Sequence, residues 1–151
     1  MTRKLPFATL IELAQSRTDT ATRLLGQLQN AHNSAAEKLE LLLQYRQEYL
    51  DQLEIQMRDG LVSSQLHNFQ HFIGTLDNAI EQQRALTQQA DTRLAHGRGD
   101  WQDNKRRLNS FDTLAERVSQ QNMMALSKRE QRDSDEHTSR QFYQRTHLLV
   151  G

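Results

Sequence analysis

Cysteine is absent from the 151-residue sequence, which excludes disulfide bonds and thiolate chemistry. One proline and six glycines leave few residues that break a helix. Lys and Arg together number 19, as do Asp and Glu, so no net charge draws the chain to nucleic acid or to a membrane. Hydrophobic residues make up only 36%, which is typical of long solvated helices with a narrow buried stripe rather than of a layered core.

Long apolar runs are also missing. No run approaches the about 20 residues that a helix needs to span a bilayer. The most apolar stretch near the N-terminus, residues 5–14, is short and contains Glu12, so we expect no export signal. These absences predict a soluble protein of a reducing cytosol, whose association with any membrane comes through a partner.

A turn at residues 57–64 separates two apolar-periodic halves of the sequence. Gly60 can leave a helix in the left-handed conformation without a Cβ penalty. Ser63 or Ser64 can accept a hydrogen bond from a free amide at the start of the next helix. The pattern therefore predicts two helices joined by a short turn.

We predict an all-α fold, a long antiparallel two-helix coiled coil with a frayed C-terminal tail. The hairpin covers residues 1–132, and beyond Arg132 the apolar periodicity fades into a polar stretch, so residues 133–151 are predicted to form a flexible tail. Within the hairpin the predicted parts are helix 1 at about 6–58, a turn at 59–64 and helix 2 at about 64–132.

A seven-residue repeat supports this fold, because a strict heptad pattern over such a length predicts a coiled-coil seam. In the first half the repeat occupies positions 7, 14, 21, 28, 35, 42, 49 and 56. Companion positions three residues later are predicted to be filled by Leu10, Leu24, Ala31 and Tyr45, with Leu25, Leu39 and Leu53 widening the stripe. The second half repeats at 66, 73, 80, 87, 94, 101, 108 and 115, and again at 69, 76, 83, 90, 97, 104, 111, 118 and 125.

The stretch His96–Asp100 could interrupt the second helix, because it contains two glycines that each cost about 1 kcal/mol in a helix interior. A break there would give a three-helix bundle. The heptad phase passes through positions 94, 101 and 108 without a skip, which favours one continuous helix with a soft bend.

No set of residues has the spacing of a catalytic site, so we expect neither an enzyme nor a cofactor. His67 and His71 have the spacing of two zinc ligands on a helix, but a third ligand is missing, which favours two partly solvated histidines over a metal site. A basic stretch over residues 93–107 is interleaved with aspartates, which favours a face for an acidic protein surface over a nucleic-acid site.

Apolar and aromatic residues are in excess near the turn. At 100° per residue, one face of helix 1 already has enough leucines to pack one partner helix, while Tyr45 and Tyr49 fall on a shoulder beyond it. Phe72 and Ala79 lie to one side of the seam on helix 2. These shoulder residues either cover the seam or form an exposed patch for another protein.

Four short motifs and their order around the turn resemble the FliJ family, the small coiled-coil proteins of the bacterial flagellar type III export apparatus. The resemblance covers residues 10–126. Its motifs are Arg23-Leu24-Leu25-Gly26, Leu42-x-x-Tyr45-x-x-Glu48-Tyr49, Asn68-Phe69-Gln70-x-Phe72-Ile73-x-x-Leu76-x-x-Ala79-Ile80, and Trp101 followed by Lys105-Arg106-x-Leu108.

The resemblance implies a stalk-like coiled coil that promotes assembly and activity of a hexameric export ATPase, escorts or recycles export chaperones, and contacts the membrane protein of the export gate. It also implies a cytoplasmic location, peripheral to the inner membrane through the export apparatus. For the gate contact it points to six residues near the turn, here named the tip patch: Leu42, Tyr45, Tyr49, Phe72, Leu76 and Ala79.

For the ATPase the resemblance implies contact through the terminal end of the hairpin. Helix 2 is predicted to extend beyond the end of helix 1 there. Residues 116–131, here named the terminal segment, therefore have no internal partner. Its candidate contact residues are Val118, Met123, Met124 and Leu126, since methionine adapts to an imperfect groove.

Two alternatives stay open: the rod protein of a virulence-type secretion system, and a generic cytosolic coiled-coil adaptor. In each case we expect a monomer, because both helices find their seam partner within one chain.

Overall fold

A computed structural model describes residues 6–149 of the chain. It contains two helices, α1 (Pro6–Asp59) and α2 (Ser63–Leu149), and no strand occurs among the residues it describes. The helices pack against each other as an antiparallel hairpin, which confirms the predicted fold class. Within this range no helical stretch is both long and apolar enough to cross a membrane.

The turn contains the predicted left-handed glycine, but the backbone of Val62, and not the predicted side chain of Ser63 or Ser64, accepts the hydrogen bonds that begin α2. Gly60 has a φ of 91°, the left-handed region that residues with a Cβ avoid. Its amide donates to the carbonyl of Met57 at 3.4 Å, which closes the end of α1. The carbonyl of Val62 accepts from the amides of Gln65 and Leu66 at 3.0 and 3.1 Å and so begins α2.

The structure corrects the predicted end of the second helix. α2 continues past Arg132 to Leu149, through the segment that we predicted to be a flexible tail. Every described side chain from Ser119 to His147 is exposed, so the apolar periodicity fades because no helix packs there. Residues 119–149 contain neither glycine nor proline, and good helix formers recur among them, so local propensity favours the helix.

The chain divides into two compact units. One unit is Gln15–Lys105, in which Leu76, Ile80 and Leu94 form the buried apolar core. The other consists of Met1–Ala14 together with Arg106–Gly151, and Ala14 and Leu108 are buried among those of its residues that the structure describes.

The seam follows the predicted heptads on α2 but only one of the two predicted series on α1. Buried and half-buried residues of α2 occupy both predicted series as far as Val118, whereas Ala125, the last predicted companion, is exposed. On α1 the first series also faces inward, except for Gln56, but its companions lie four residues later and not three. The predicted companions Leu10, Leu24, Ala31 and Tyr45 are exposed, and the inward positions are Ile11, Thr18, Leu25, His32, Leu39, Arg46 and Leu53.

Polar side chains explain why the companion series was misplaced. Thr18 is buried and its hydroxyl donates to the carbonyl of Asn104 at 3.3 Å. The side-chain amide of Gln83, also buried, donates to the carbonyl of Ala35 at 3.1 Å. Such cross-helix bonds let polar residues occupy a seam, where they fix the register of the two helices.

Gly97 allows a close approach between the helices within the Gln15–Lys105 unit. It is buried, and a Cβ built on it would collide with Cδ1 of Leu28. Gly99, two residues later on the same continuous helix, would meet nothing within 4 Å. The two glycines therefore stand in different environments although they are neighbours in sequence.

Alanine substitutions at these glycines are expected to have opposite consequences. Gly99→Ala should raise the free energy of unfolding by about 1 kcal/mol, because alanine is the better helix former and the site is open. Gly97→Ala should instead lower the free energy of unfolding by about 1 kcal/mol. Leu28 must shift to make room for the new Cβ, and the cost of that shift exceeds the gain in helix propensity. Thermal melting followed by circular dichroism measures both, and an equal stabilisation by the two variants would contradict the close packing at Gly97.

Candidate functional site

The tip patch is built from one stripe on each helix. Leu42, Tyr45 and Tyr49 are spaced three and four residues apart on α1, so they lie along one side of that helix. Phe72, Leu76 and Ala79 have the equivalent spacing on α2. All six residues belong to the Gln15–Lys105 unit, in which the hairpin brings the two stripes together.

Aromatic contacts join the two stripes. The ring centroids of Tyr49 and Phe72 are 4.5 Å apart, and those of Tyr45 and Phe72 are 6.2 Å apart in an edge-to-face arrangement. Tyr49 also contacts Phe69, at 4.9 Å between centroids. The cluster thus includes Phe69, which the sequence assigned only to the seam.

Exposure is graded across the tip patch. Leu76 is only 6% exposed and belongs to the core, whereas Tyr45 is 50% exposed. Leu42, Tyr49, Phe72 and Ala79 are half-buried. Leu76 is therefore part of the seam, and among the four shoulder residues Tyr45 is the most exposed.

An ion pair crosses between the helices inside this cluster. Arg46 Nε donates to Asp77 Oδ1 at 2.6 Å, and both residues are half-buried. Sequence reasoning missed this pair, because Arg46 was not assigned to the seam. Its position one residue after Tyr45, at an inward heptad position, was the available signal.

Apolar exposure extends beyond the tip patch along α1. Leu41 is 67% exposed and lies one helical turn before Tyr45, on the same side of the helix. Sequence reasoning did not include Leu41, which lies one position before the predicted heptad residue Leu42. It adds aliphatic surface next to the exposed tyrosine.

The four candidate residues of the terminal segment do not form one surface. Val118 is half-buried at the last inward heptad position, whereas Met123 is 68% exposed, and Met124 and Leu126 are exposed as well. Met123 and Leu126 are three residues apart and share a side of α2. Leu126 also lines a shallow groove with basic side chains, those of Lys128, Arg129 and Arg132.

The arrangement is suited to binding other proteins. Across residues 6–149 no group of three or more His, Cys, Asp or Glu residues could hold a metal ion. His67 and His71 are both exposed on α2. What the two units offer instead is partly exposed aromatic and apolar surface on rigid helices, the kind of surface that proteins recognise.

Comparison with known proteins identifies relatives of this chain. The profile of the family described as "Flagellar FliJ protein" matches residues 3–147. The chain is 34% identical over 132 residues to the flagellar FliJ protein of Salmonella typhi, covering 87% of this chain and 90% of that protein. It is 35% identical over 133 residues to the flagellar FliJ protein of Escherichia coli (strain K12), covering 88% and 90%.

Proposed function

The chain belongs to the FliJ family of flagellar proteins, and on that premise we propose that it is a stalk-like coupling protein of type III export. Membership supports a role in flagellum biogenesis and protein export, and the family is not known as one of enzymes. In the proposed role it promotes assembly and activity of the hexameric export ATPase and connects that enzyme to the export gate. It also escorts or recycles export chaperones.

The observation that carries the proposal is the aromatic cluster of the tip patch. Tyr45 keeps half of its surface in solvent while its ring packs edge to face with Phe72, which Tyr49 in turn contacts. A rigid, partly exposed tyrosine loses little conformational freedom when it is buried by a partner, so it can contribute strongly to binding. We assign this surface to the export-gate membrane protein.

The terminal segment supports the second contact of the proposal. Its side chains from Ser119 onward are exposed on an uninterrupted helix, and the exposed ones include Met123, Met124 and Leu126. Flexible methionines fit an apolar groove without exact shape complementarity. We assign this segment to the hexameric ATPase.

We further propose that the chain acts as a cytoplasmic monomer that reaches the inner membrane peripherally, through the export apparatus. The polar cross-helix bonds of the seam are made within one chain, so a second copy is not needed to satisfy them.

Removal of this chain from its bacterium is expected to reduce motility and the export of flagellar subunits several-fold, since coupling between the ATPase and the gate is lost. Immunoblotting of flagellin and hook protein in culture supernatants measures the effect, and re-expression of the full chain should restore it. Normal flagellar export in the deletion strain would contradict the proposal. Loss of virulence-type secretion alone would identify the alternative rod protein, and no secretion defect of any kind would favour a generic adaptor.

A further inference from the structure

The Arg46–Asp77 ion pair ties α1 to α2 inside the tip patch. The 2.6 Å distance from Arg46 Nε to Asp77 Oδ1 is that of a short charge-assisted hydrogen bond, which a small axial shift of one helix would break. The Arg58–Glu54 pair, by contrast, joins two residues of α1, so it does not depend on the position of α2.

Stability is not the main contribution of this pair. The side chain of Arg46 is 35% exposed and that of Asp77 is 49% exposed. Ion pairs that are this accessible to water contribute little to folding. A polar residue in a coiled-coil seam nevertheless selects one register out of several that apolar packing would accept.

The tip patch depends on register more than the rest of the seam does. Its two stripes belong to different helices, and the Tyr45–Phe72 and Tyr49–Phe72 contacts both cross between them. Sliding one helix by a single turn, about 5.4 Å, would separate these rings and change the surface that they present together. Arg46 follows Tyr45 directly, and Asp77 follows Leu76, so the ion pair acts where the two stripes meet.

We infer that Arg46 and Asp77 are positioning residues that hold the two halves of the tip patch in register for the export-gate protein. This inference rests on the proposed function of the tip patch. It adds two charged residues that act through the geometry of the aromatic cluster and not by touching the partner.

Charge reversal and charge exchange in the full-length chain test the inference. Arg46→Glu places two carboxylates together and Asp77→Arg places two guanidinium groups together, so each is expected to weaken binding about tenfold. The double variant R46E/D77R restores an attractive pair and should return affinity to within about threefold of the wild type. The measurement is titration of the detergent-solubilised export-gate protein, beside thermal melting of each variant.

Two further variants serve as controls for the binding measurements. Arg46→Gln removes the charge without adding repulsion, so a binding loss at nearly unchanged melting temperature separates positioning from unfolding. Arg58→Glu abolishes the ion pair within α1 and should leave gate binding unchanged.

The outcomes separate the inference from the function on which it rests. Failure of the double variant to restore binding would overturn the inference, because the attraction between the two charges would then not account for the loss of binding. Full binding by both single reversals, with binding still lost in Tyr45→Ala, would also overturn it while leaving the proposed function intact. Full binding by Tyr45→Ala would remove the proposed function of the patch and the inference with it.

Discussion

Deleting residues 116–151 is expected to abolish stimulation of the hexameric export ATPase while the rest of the chain stays helical. The deletion removes the terminal segment, whose exposed Met123, Met124 and Leu126 are the proposed contacts. It leaves the buried core residues in place: Ala14, Leu76, Ile80, Leu94 and Leu108. Val118 is lost as well, but it is only half-buried, so the cost to stability should be small.

ATP hydrolysis by the purified ATPase, with the full-length or the truncated chain added, measures this effect, and circular dichroism checks the helix. A narrower variant, Met123→Ser with Leu126→Ser, should weaken stimulation about tenfold, because truncating interface anchors costs on the order of 1–3 kcal/mol. Leu41→Ser is the matched control, since Leu41 is equally exposed but lies outside the terminal segment. Undiminished stimulation by the truncated chain would refute the assignment of this segment to the ATPase.

Alanine substitutions of the aromatic residues in the tip patch are expected to affect partner binding and folding stability to different extents. Tyr45→Ala should weaken binding to the export-gate protein by about tenfold or more and leave the melting temperature nearly unchanged, because Tyr45 is half exposed. Phe72→Ala should weaken binding and also lower the free energy of unfolding by about 1–3 kcal/mol, because its ring packs against Tyr49 at 4.5 Å.

ATPase stimulation should persist in both variants, because neither residue lies in the terminal segment. Thermal melting, gate binding and ATPase stimulation measured on the same proteins separate the possibilities. A large loss of stability in Tyr45→Ala would show that its ring is part of the core. Retained stability together with full gate binding would show that the patch has another role.

Sequence periodicity predicted the fold because a hairpin of this kind is almost entirely a repeating pattern. The breaker at Gly60 and the two heptad series of the second helix were sufficient to predict the turn and the inward face of α2. At Gly97 the unbroken phase correctly predicted a continuous helix despite two glycines.

The same reasoning failed where polar residues face inward or where a helix has no partner. Counting apolar residues favoured Leu10 and Leu24 over Thr18 on α1, because a sequence does not show that the Thr18 hydroxyl will find the carbonyl of Asn104. Periodicity also ended before α2 did, since it reports burial and not helix formation. The Arg46–Asp77 pair could not be predicted, because it depends on the register of two distant segments.

The composition of the buried stripe has a thermodynamic consequence. Thr18, Gln83 and Gly97 occupy inward positions, and among residues 7–147 no large side chain is completely buried. Unfolding therefore exposes little apolar surface per residue, so the heat-capacity increment should fall below the about 12–15 cal/mol/K per residue of globular domains. A small increment flattens the dependence of unfolding free energy on temperature. Because few buried apolar contacts hold any one stretch, short stretches of the two helices can also open and reclose at modest cost without melting the whole chain.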